Sequence, residues 1–529
     1  MDSETRFAGD IPLTPRIQDL LASNLPPLES DIPSIRQLET TLQSRIARID
    51  EDIAALTARL GPLLTARAAL LQEHGTVSGV LSPLRRVPPE LLSEIFKRAT
   101  TAKSSSDDSI DSGTLCNAPW SLMHVSSWWR EVARTTPALW TNIRVSFDEA
   151  GSSYPQHLVE AHADYAQELI VDFYGCSTFD VQPQINAFSA LAKNCVKWTT
   201  LKIDLIPEIY AALNELRGQV PLLRKVLITW DVLPTDDSEL SAMVFTEDAV
   251  SLVDLAIIDA VRYRQICAPF SNLTRYDLRL PWAMHRNLLK QSPCLVEARL
   301  ITSAADADAL GWPGPEREIS LISLRRLYVS HGEFLDKIHA PKLAEITYEH
   351  FSDADLSSLS HLESLVTFSS CSLTRICITG DPSSEAAPQA LQKFPNVSEL
   401  YIIWSFDEDE DDDDPPEGRV SQLLQLMISD DNGSNCIAPK LAVLSLGWEG
   451  FSYLDEDPSD YHLLAQMVAS RRRRPDCALR RVEMLRREGE WKLPPSSLTS
   501  LDWLADQVDF VFLTGDAAQD VMNSYEYLS

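Results

Sequence analysis

The chain has 529 residues, of which 44% are hydrophobic, so it can bury a core and is not disordered throughout. Its formal net charge of −31 repels phosphate backbones, which argues against nucleic acid as a partner. No uninterrupted apolar run reaches the ~18–20 residues that cross a bilayer, and the start, MDSETRFAGD, lacks the layout of a signal peptide. Nine scattered cysteines without a Cys-x-x-Cys pair fit a reducing compartment, so we expect a cytoplasmic or nuclear protein that does not engage a membrane.

A heptad pattern follows a loose N-terminal segment. Residues 1–33 are rich in Pro, Ser and Asp and predict a disordered tail. Over 34–75, apolar residues alternate spacings of four and three, which predicts a coiled-coil helix that Gly61-Pro62 should kink or break. The heptad positions are Leu42, Ile46, Ile49, Ile53, Leu56, Leu60 and Leu63. Either this helix folds back on its own chain or it mediates self-association.

A small helical module comes next. The stretch LSPLRRVPPELLSEIFKRAT, residues 81–100, starts a short amphipathic helix with proline in its first turn. A polar insert separates it from NAPWSLMHVSSWWREVARTTPALWTNIRV, residues 117–145, whose apolar residues again share one helical face. Residues 80–145 therefore predict an all-α module of two or three helices. Because so few residues cannot bury themselves well, the module either completes its core with a partner or caps the domain that follows.

Beyond residue 145 the sequence repeats an L-x-x-L-x-L unit at intervals of about 19–30 residues, with Val, Ile, Tyr or Met tolerated. In a short strand the apolar trio of each unit faces inward and the residues between face outward, and units must stack to cover their apolar sides. We expect an α/β repeat fold, an irregular leucine-rich-repeat solenoid over 146–515, followed by a C-terminal tail at 516–529. The eleven units are Trp198-Leu201-Ile203, Leu223-Val226-Ile228, Leu252-Leu255-Ile257, Leu273-Tyr276-Leu278, Leu295-Ala298-Leu300, Leu324-Leu327-Val329, Leu343-Ile346-Tyr348, Leu373-Ile376-Ile378, Val397-Leu400-Ile402, Leu441-Leu444-Leu446 and Leu479-Val482-Met484.

Two charged runs interrupt this region. Residues 407–417 begin with an unbroken acidic run, which repels itself and predicts a disordered loop. Arg471 to Arg474 are either a nuclear localisation patch or the solvated end of a helix that Pro475 stops.

The sequence offers no motif for catalysis. It lacks G-x-S-x-G, H-E-x-x-H and a phosphate-binding G-x-x-x-x-G-K-[ST] loop. His157 and His162 lie near Asp164, but their spacing is not that of a known metal site, so we expect exposed helix histidines. The chain is predicted to be a binding protein, not an enzyme, with no cofactor and no metal.

The helical module resembles a known family. VPPELLSEIF resembles the first helix of the F-box motif, and VSSWWREVA resembles its later Val-Ser-x-x-Trp-Arg segment, although Val87 stands where leucine is usual. The heptad helix, the F-box, PALW and degenerate leucine-rich repeats together resemble F-box proteins of basidiomycete fungi. The matching positions are Pro88, Glu90, Leu91, Leu92, Ile95, Phe96, Val125, Ser126 and Trp129.

That resemblance implies the substrate-recognition subunit of an SCF (Skp–cullin–F-box) ubiquitin ligase. The F-box would dock on the Skp adaptor, which joins it to the cullin, and the solenoid would bind a target protein. The alternative is a leucine-rich-repeat scaffold without a ligase role.

Outward strand positions carry many arginines, which predicts a basic stripe opposite in sign to the whole chain. The alternative is that these arginines are only solvated spacers, since the acids Asp254, Asp277, Glu297 and Glu345 sit among them. Such a stripe would bind a target with an acidic or phosphorylated segment, because arginine pairs with carboxylate and phosphate. The candidate target-binding residues are Arg275, Arg299, Arg325, Arg326 and Arg375, with Arg224, Lys225, Arg480 and Arg481 in equivalent positions.

Overall fold

The computed structural model divides the chain into two compact units, Met1–Leu92 and Ser93–Ser529. The described residues are 13–23, 25–101, 118–147, 154–230, 241–258, 263–302, 319–350, 356–380, 386–405, 419–428, 437–449, 458–474, 477–487 and 503–526. The predicted acidic loop at 407–417 lies outside them.

The first unit is built on two helices, α1 (Pro15–Ala22) and α2 (Ile32–Val80). The expectation of a disordered tail over 1–33 is wrong for α1, where Ile17 is buried and Arg16 Nε lies 3.3 Å from an Asp31 carboxylate oxygen. An apolar side chain that finds cover and a proline in the first helical turn favour this helix over a loose segment.

Helix α2 is a single continuous helix of 49 residues, so the predicted heptad helix is confirmed and extends beyond the predicted 34–75. Of the expected kink or break at Gly61-Pro62, the break is wrong, because the helix continues through Pro62. Proline removes one intrahelical hydrogen bond, to the carbonyl four residues earlier. The long helix on either side keeps its own bonds and carries the chain through this point.

The predicted short helices at 80–145 are present. Helix α3 (Pro89–Thr101) is followed by α4 (Ala118–Val125) and α5 (Ser127–Arg134), with 3₁₀ turns at Pro83–Arg86 and Pro137–Leu139. The further helices of the second unit are α6 (Gln156–Tyr165), α7 (Val181–Ala192), α8 (Pro207–Asn214), α9 (Trp282–Lys290), α10 (Leu356–Ser369), α11 (Ala386–Lys393), α12 (Arg419–Met427), α13 (Pro458–Arg472) and α14 (Gly515–Glu526).

A parallel sheet of 14 strands organises the described part of the second unit. Each strand pairs with the next sheet strand along the chain, so the strand order follows the sequence. Its strands are β1 (Asn142–Ser146), β2 (Leu169–Tyr174), β3 (Trp198–Leu205), β4 (Lys225–Trp230), β5 (Asp254–Ile257), β6 (Arg275–Arg279), β7 (Glu297–Ile301), β9 (Arg326–Val329), β11 (Glu345–His350), β12 (Arg375–Gly380), β13 (Glu399–Ser405), β14 (Val443–Glu449), β15 (Arg481–Arg486) and β16 (Asp509–Thr514). Strands β8 (Ile319–Ser320) and β10 (Ile338–His339) form a separate parallel pair.

The apolar trios of the eleven predicted units all lie at strands of this sheet. Every residue of the trios is buried except Tyr348, which is half-buried, so their predicted inward orientation is confirmed. Helices cover this side, which we call the core face. Phe188 of α7 packs against Phe173 of β2 with ring centroids 5.7 Å apart, and His285 of α9 hydrogen-bonds the Tyr276 hydroxyl of β6 at 2.8 Å. The opposite side is called the outer face.

Three strands of this sheet were not predicted, namely β1, β2 and β16, and neither was the separate pair of β8 and β10. The boundary of the helical module at residue 145 is therefore wrong, because β1 already pairs with β2. The sequence does contain a pattern for β1, Trp140-x-x-Ile143-x-Val145, which has the spacing of the trios.

The expected C-terminal tail at 516–529 is wrong for the described residues up to 526, because these form α14. This helix packs on the outer face of the last strands, where Ala518 and Met522 join a buried cluster with Tyr401 and Ile403. Gly447 of β14 permits the approach, since a Cβ atom there would lie 3.0 Å from Met522 Sδ.

Candidate functional site

Helices α4 and α5 are joined by a tight corner at the predicted F-box segment. Ser126 is the N-cap of α5, and its hydroxyl accepts the Trp129 backbone N–H at 3.1 Å. The cap orients α5 so that the Trp129 ring packs against Phe96 of α3, with ring centroids 4.9 Å apart. Ser126 and Trp129 therefore have structural roles within the module, and both are half-buried.

The nine residues predicted to contact an adaptor fall into three groups by exposure: two are buried, two are half-buried and five are exposed. Leu92 is 0% and Phe96 1% exposed, so their side chains are buried within this chain. The prediction that these two side chains contact the adaptor is corrected accordingly. Pro88, Glu90, Leu91, Ile95 and Val125 are exposed. Sequence reasoning could not separate the groups on α3, because Leu91 and Ile95 lie beside Leu92 and Phe96 on one broad apolar face, and only the neighbouring helices decide which pair is covered.

Large apolar side chains remain uncovered on this module. Ile95 is 49% exposed on α3, and Leu91, one turn earlier on the same helix, is 59% exposed. Val125 at the end of α4 is 58% exposed and Trp128 on α5 is 41% exposed. Trp128 was missed because it occupies a variable position of the Val-Ser-x-x-Trp-Arg segment. An apolar surface on short helices suits a helical partner, since it leaves water when the partner binds.

An aromatic cluster binds α4 and α5 to the start of the sheet domain. Trp140 is fully buried, and its indole N–H donates to the Ala133 carbonyl at 2.8 Å. Its ring meets Trp120 and His162 edge-on, both at 5.1 Å between centroids, and Tyr165 at 4.9 Å. The module's later helices are thus packed into the second unit and are not a detached domain.

Charged residues on the outer face form a ladder of alternating sign. At one position of each strand from β4 to β13, register places a basic residue beside an acidic one on the next strand. We call this set the charge ladder. It consists of Lys225, Asp254, Arg275, Glu297, Arg326, Glu345, Arg375 and Glu399.

The strongest ion pairs lie towards the end of the charge ladder. Arg326 reaches Glu345 at 2.8 Å and Glu297 at 3.4 Å, and Arg375 reaches Glu345 at 2.9 Å and Glu399 at 2.6 Å. The pairs of Asp254 are longer, 3.6 Å to Arg275 and 3.7 Å to Lys225. Arg326 and Arg375 therefore each tie their strand to both neighbours.

The predicted basic stripe is wrong, because the register that aligns the arginines also interleaves them with acids. Arg275, Arg326 and Arg375 are members of the charge ladder. Arg299, one position further along its strand, is only 9% exposed, lies 3.8 Å from Asp277 and stacks on the Tyr328 ring at 4.4 Å. Arg325 precedes its strand and is exposed. The outer face from β4 to β13 is nearly neutral where the ladder runs.

Loss of one ladder arginine should destabilise the sheet more than loss of an exposed arginine. Arg375→Leu leaves two facing carboxylates, Glu345 and Glu399, without their shared cation, and we expect a loss of about 1–2 kcal/mol in unfolding free energy. The matched control Arg325→Leu should change it by no more than about 0.5 kcal/mol. Urea unfolding of both variants tests this. Equal midpoints for the two would mean that the ladder contributes nothing to stability.

Two further sequence expectations are corrected by burial. The interpretation of Arg471 to Arg474 as a solvated helix end fits Arg472 and Arg473, which are exposed at the end of α13, but not Arg471. Arg471 is 3% exposed, and its guanidinium donates to the carbonyls of Ile437 at 2.7 Å and Ala438 at 3.1 Å. His162 is not an exposed helix histidine: it is 4% exposed, and its Nε2 lies 3.0 Å from the Asn142 carbonyl. Both polar groups lie in apolar surroundings because backbone carbonyls pair with them. Within the described residues, no cluster of His, Cys, Asp and Glu could hold a metal ion.

The chain matches no protein-family model. No curated protein matches it in sequence either.

Proposed function

We propose that this chain is the substrate-recognition subunit of an SCF-type ubiquitin ligase. In this proposal α3 to α5 form an F-box that docks on a Skp adaptor and thereby on the cullin. The parallel sheet and its helices form a leucine-rich-repeat solenoid that holds a target protein. The proposal rests on the F-box resemblance of VPPELLSEIF and VSSWWREVA, and the observation that carries it is the uncovered apolar surface of Ile95, Val125 and Trp128.

The proposal treats the buried and exposed residues of the motif differently. Leu92 and Phe96 are assigned to the stability of the module, and Leu91, Ile95, Val125 and Trp128 to adaptor contact. Replacing Phe96 would cost about 3–5 kcal/mol and lose binding merely by unfolding the module. The informative variants are therefore at exposed positions.

Ile95→Asp should abolish adaptor binding without destabilising the chain. Half of the Ile95 side chain is already in water, so the free chain loses little, whereas a carboxylate buried against an apolar partner is unpaired. We expect the dissociation constant for purified Skp adaptor to rise by about 100-fold or more. Isothermal titration calorimetry measures this, and the urea midpoint serves as the folding check.

Val196→Asp is the matched control, because Val196 is also an exposed aliphatic residue, 52% exposed, and lies outside α3 to α5. It should bind the adaptor as the wild type does. Absence of wild-type binding, or equal binding by Ile95→Asp, would reject the F-box assignment.

The scaffold alternative is favoured by one observation, the aromatic cluster around Trp140. A module that is packed into the start of the sheet could serve only as its cap, as terminal units of repeat proteins do. In that case the chain would bind a target and would recruit neither Skp nor cullin. Affinity capture from cells distinguishes the two functions, since only a ligase subunit brings Skp and cullin with it.

A further inference from the structure

Helix α2 carries a long apolar stripe that nothing in its own unit buries. No residue of this helix is buried, and along it Ile46, Ile49, Ile53, Leu56 and Leu60 are each more than half exposed. The stripe continues through Leu63, Leu64, Leu70, Leu71 and Val77, which are equally exposed. A stripe from Ile46 to Val77 is about 48 Å long at 1.5 Å per residue, which is more than four heptads.

The pattern of α2 is that of a coiled-coil seam and not of a uniformly apolar helix. With Ile46 at position a and Ile49 at position d, every Leu, Ile and Val of α2 falls at a, d, e or g. Positions b, c and f hold small or polar residues, with Arg48 and Glu51 the charged ones. Gly61 is at b and Pro62 at c, so the helix breaker faces away from the seam.

We propose that α2 pairs with α2 of a second copy of this chain, in an antiparallel two-stranded coiled coil. The pairing places Ile53 of one copy against Leu56 of the other, with the two-fold axis between Ala54 and Ala55. In that register the exposed block Ile46–Leu63 faces the same block of the second copy, and Ile32 lies opposite Val77. A symmetric pair of this kind closes on itself, because the same surface serves both copies.

Charge fixes the antiparallel orientation. Position a holds Glu39 and Arg67, which a parallel pair would set against Glu39 and Arg67 of the second copy. Like charges that meet in a seam are destabilising. In the antiparallel register Glu39 lies one layer from Arg67 of the second copy, and the g position Asp52 lies beside Arg59 of the second copy. Because the dimer is symmetric, each of these attractive pairs occurs twice.

A membrane is the competing occupant, since α2 is long and apolar enough to cross one by length and composition. Its apolar stretch, however, contains Arg59 and Arg67, and arginine is costly at the centre of a bilayer. Both arginines have acidic partners in the coiled coil. The second copy therefore accounts for residues that a bilayer would oppose.

The first test is the mass of the full chain by sedimentation equilibrium at micromolar concentration. We expect twice the monomer mass of 59.1 kDa. Ile53→Asp should raise the dimer dissociation constant about 100-fold, because two carboxylates enter the seam. The matched control Ala54→Asp introduces the same carboxylate one residue along, at the outward b position, and should stay dimeric. A monomeric wild type, or a dimer that persists in Ile53→Asp, would overturn the proposal.

The second test separates antiparallel from parallel pairing. Arg67→Glu should weaken an antiparallel dimer about tenfold by placing a carboxylate one layer from Glu39 of the second copy, and the exchange Glu39→Arg with Arg67→Glu should restore it. A parallel dimer keeps like charges together in all three proteins and shows no rescue. Flotation with phosphatidylcholine–phosphatidylserine vesicles tests whether α2 binds a membrane instead. Absence of rescue, or stable vesicle binding by the wild type, would overturn the antiparallel dimer. None of these measurements depends on adaptor binding.

Discussion

Trp140→Ala should lower the free energy of unfolding by about 3–5 kcal/mol, the range for removing a fully buried large aromatic side chain. The indole contacts three aromatic rings, those of Trp120, His162 and Tyr165, and its removal loses these contacts. The variant also leaves the Ala133 carbonyl without the indole N–H. Urea unfolding followed by tryptophan-independent circular dichroism measures the loss.

Trp128→Ala is the matched control for this effect. Trp128 lies on α5, shortly before Trp140 in the chain, but it is 41% exposed, so its removal should cost no more than about 0.5–1 kcal/mol. Trp140→Phe keeps most of the ring contacts and loses the hydrogen bond, and we expect about 1–3 kcal/mol. If Trp140→Ala were no worse than Trp128→Ala, the aromatic cluster would not join the module to the sheet domain.

The two tryptophans also separate stability from recognition. Trp140 is inaccessible, so its substitution should weaken Skp binding only as far as it unfolds α4 and α5. Trp128 and Ile95 are exposed, and their substitution should weaken binding at full stability. If Trp140 affected mainly stability and Trp128 and Ile95 affected mainly binding, the module would be an adaptor-binding F-box and not only a cap of the sheet.

The strands of the sheet were predictable because each one needs the same three apolar positions. A unit such as Leu324-Leu327-Val329 fixes the strand, its inward side and its need for neighbours, all within a few residues. Strand β1 was missed because its trio begins with Trp140 in a stretch already assigned to helices. Strand β16 and helix α14 were missed because Phe510 and Phe512 follow no leucine at the first position.

The charge ladder could not be derived from single strands, because its meaning depends on register between strands. Arg326 and Glu345 are far apart in sequence, and only the parallel pairing of β9 with β11 sets them side by side. The sign alternation is nevertheless visible once the units are aligned, since each ladder residue immediately precedes the second apolar position. Sequence reasoning noticed the arginines and gave the acids among them too little weight.

Burial within the helical module was the least predictable feature. Leu91 and Leu92 are neighbours with the same chemistry, yet one is 59% and the other 0% exposed. The motif marks both as family positions, because a family pattern reports that a residue is needed and not whether it serves packing or recognition. Only the packing of Phe96 against Trp129 separates these roles.

Two buried histidines should make the fold lose stability between about pH 6.5 and pH 4. Burial lowers the pKa of His162 and that of His285 from 6.5 to about 4, because each imidazole is held in its neutral form away from water. His285 is fixed by the Tyr276 hydroxyl at 2.8 Å on Nδ1 and by the Ile301 carbonyl at 3.1 Å on Nε2. The unfolded chain binds protons at these positions in a range where the folded chain does not.

This difference in proton binding determines whether the free energy of unfolding rises or falls with pH. Above pH 6.5 both states are neutral at these positions and the full stability is present. As pH falls through 6.5 the unfolded state gains protons and is favoured, and the loss levels off below about pH 4, where the folded state is protonated too. Each histidine should cost on the order of 2 kcal/mol at pH 5 and about 3 kcal/mol at the limit.

Carboxylates of the outer face act in the opposite direction. Burial raises the pKa of Asp254 and that of Asp277, so the folded state binds protons there before the unfolded state does. Their contribution lies between the raised folded pKa and the unfolded value near 4, where protonation of the folded state adds stability as pH falls. It therefore offsets part of the loss caused by the histidines, and histidine variants are needed to isolate their share.

Urea unfolding at steps from pH 7.5 to pH 5 tests this assignment. His285→Gln keeps an N–H donor for the Ile301 carbonyl but cannot take a proton, so it should be less stable at pH 7.5 and lose less stability towards pH 5 than the wild type. His162→Gln should behave in the same way, and the double variant should lose nearly all of the slope. His462→Gln changes an exposed histidine and should follow the wild-type curve. A double variant with the full wild-type slope would place the acid sensitivity elsewhere, in carboxylates whose ion pairs are lost on protonation.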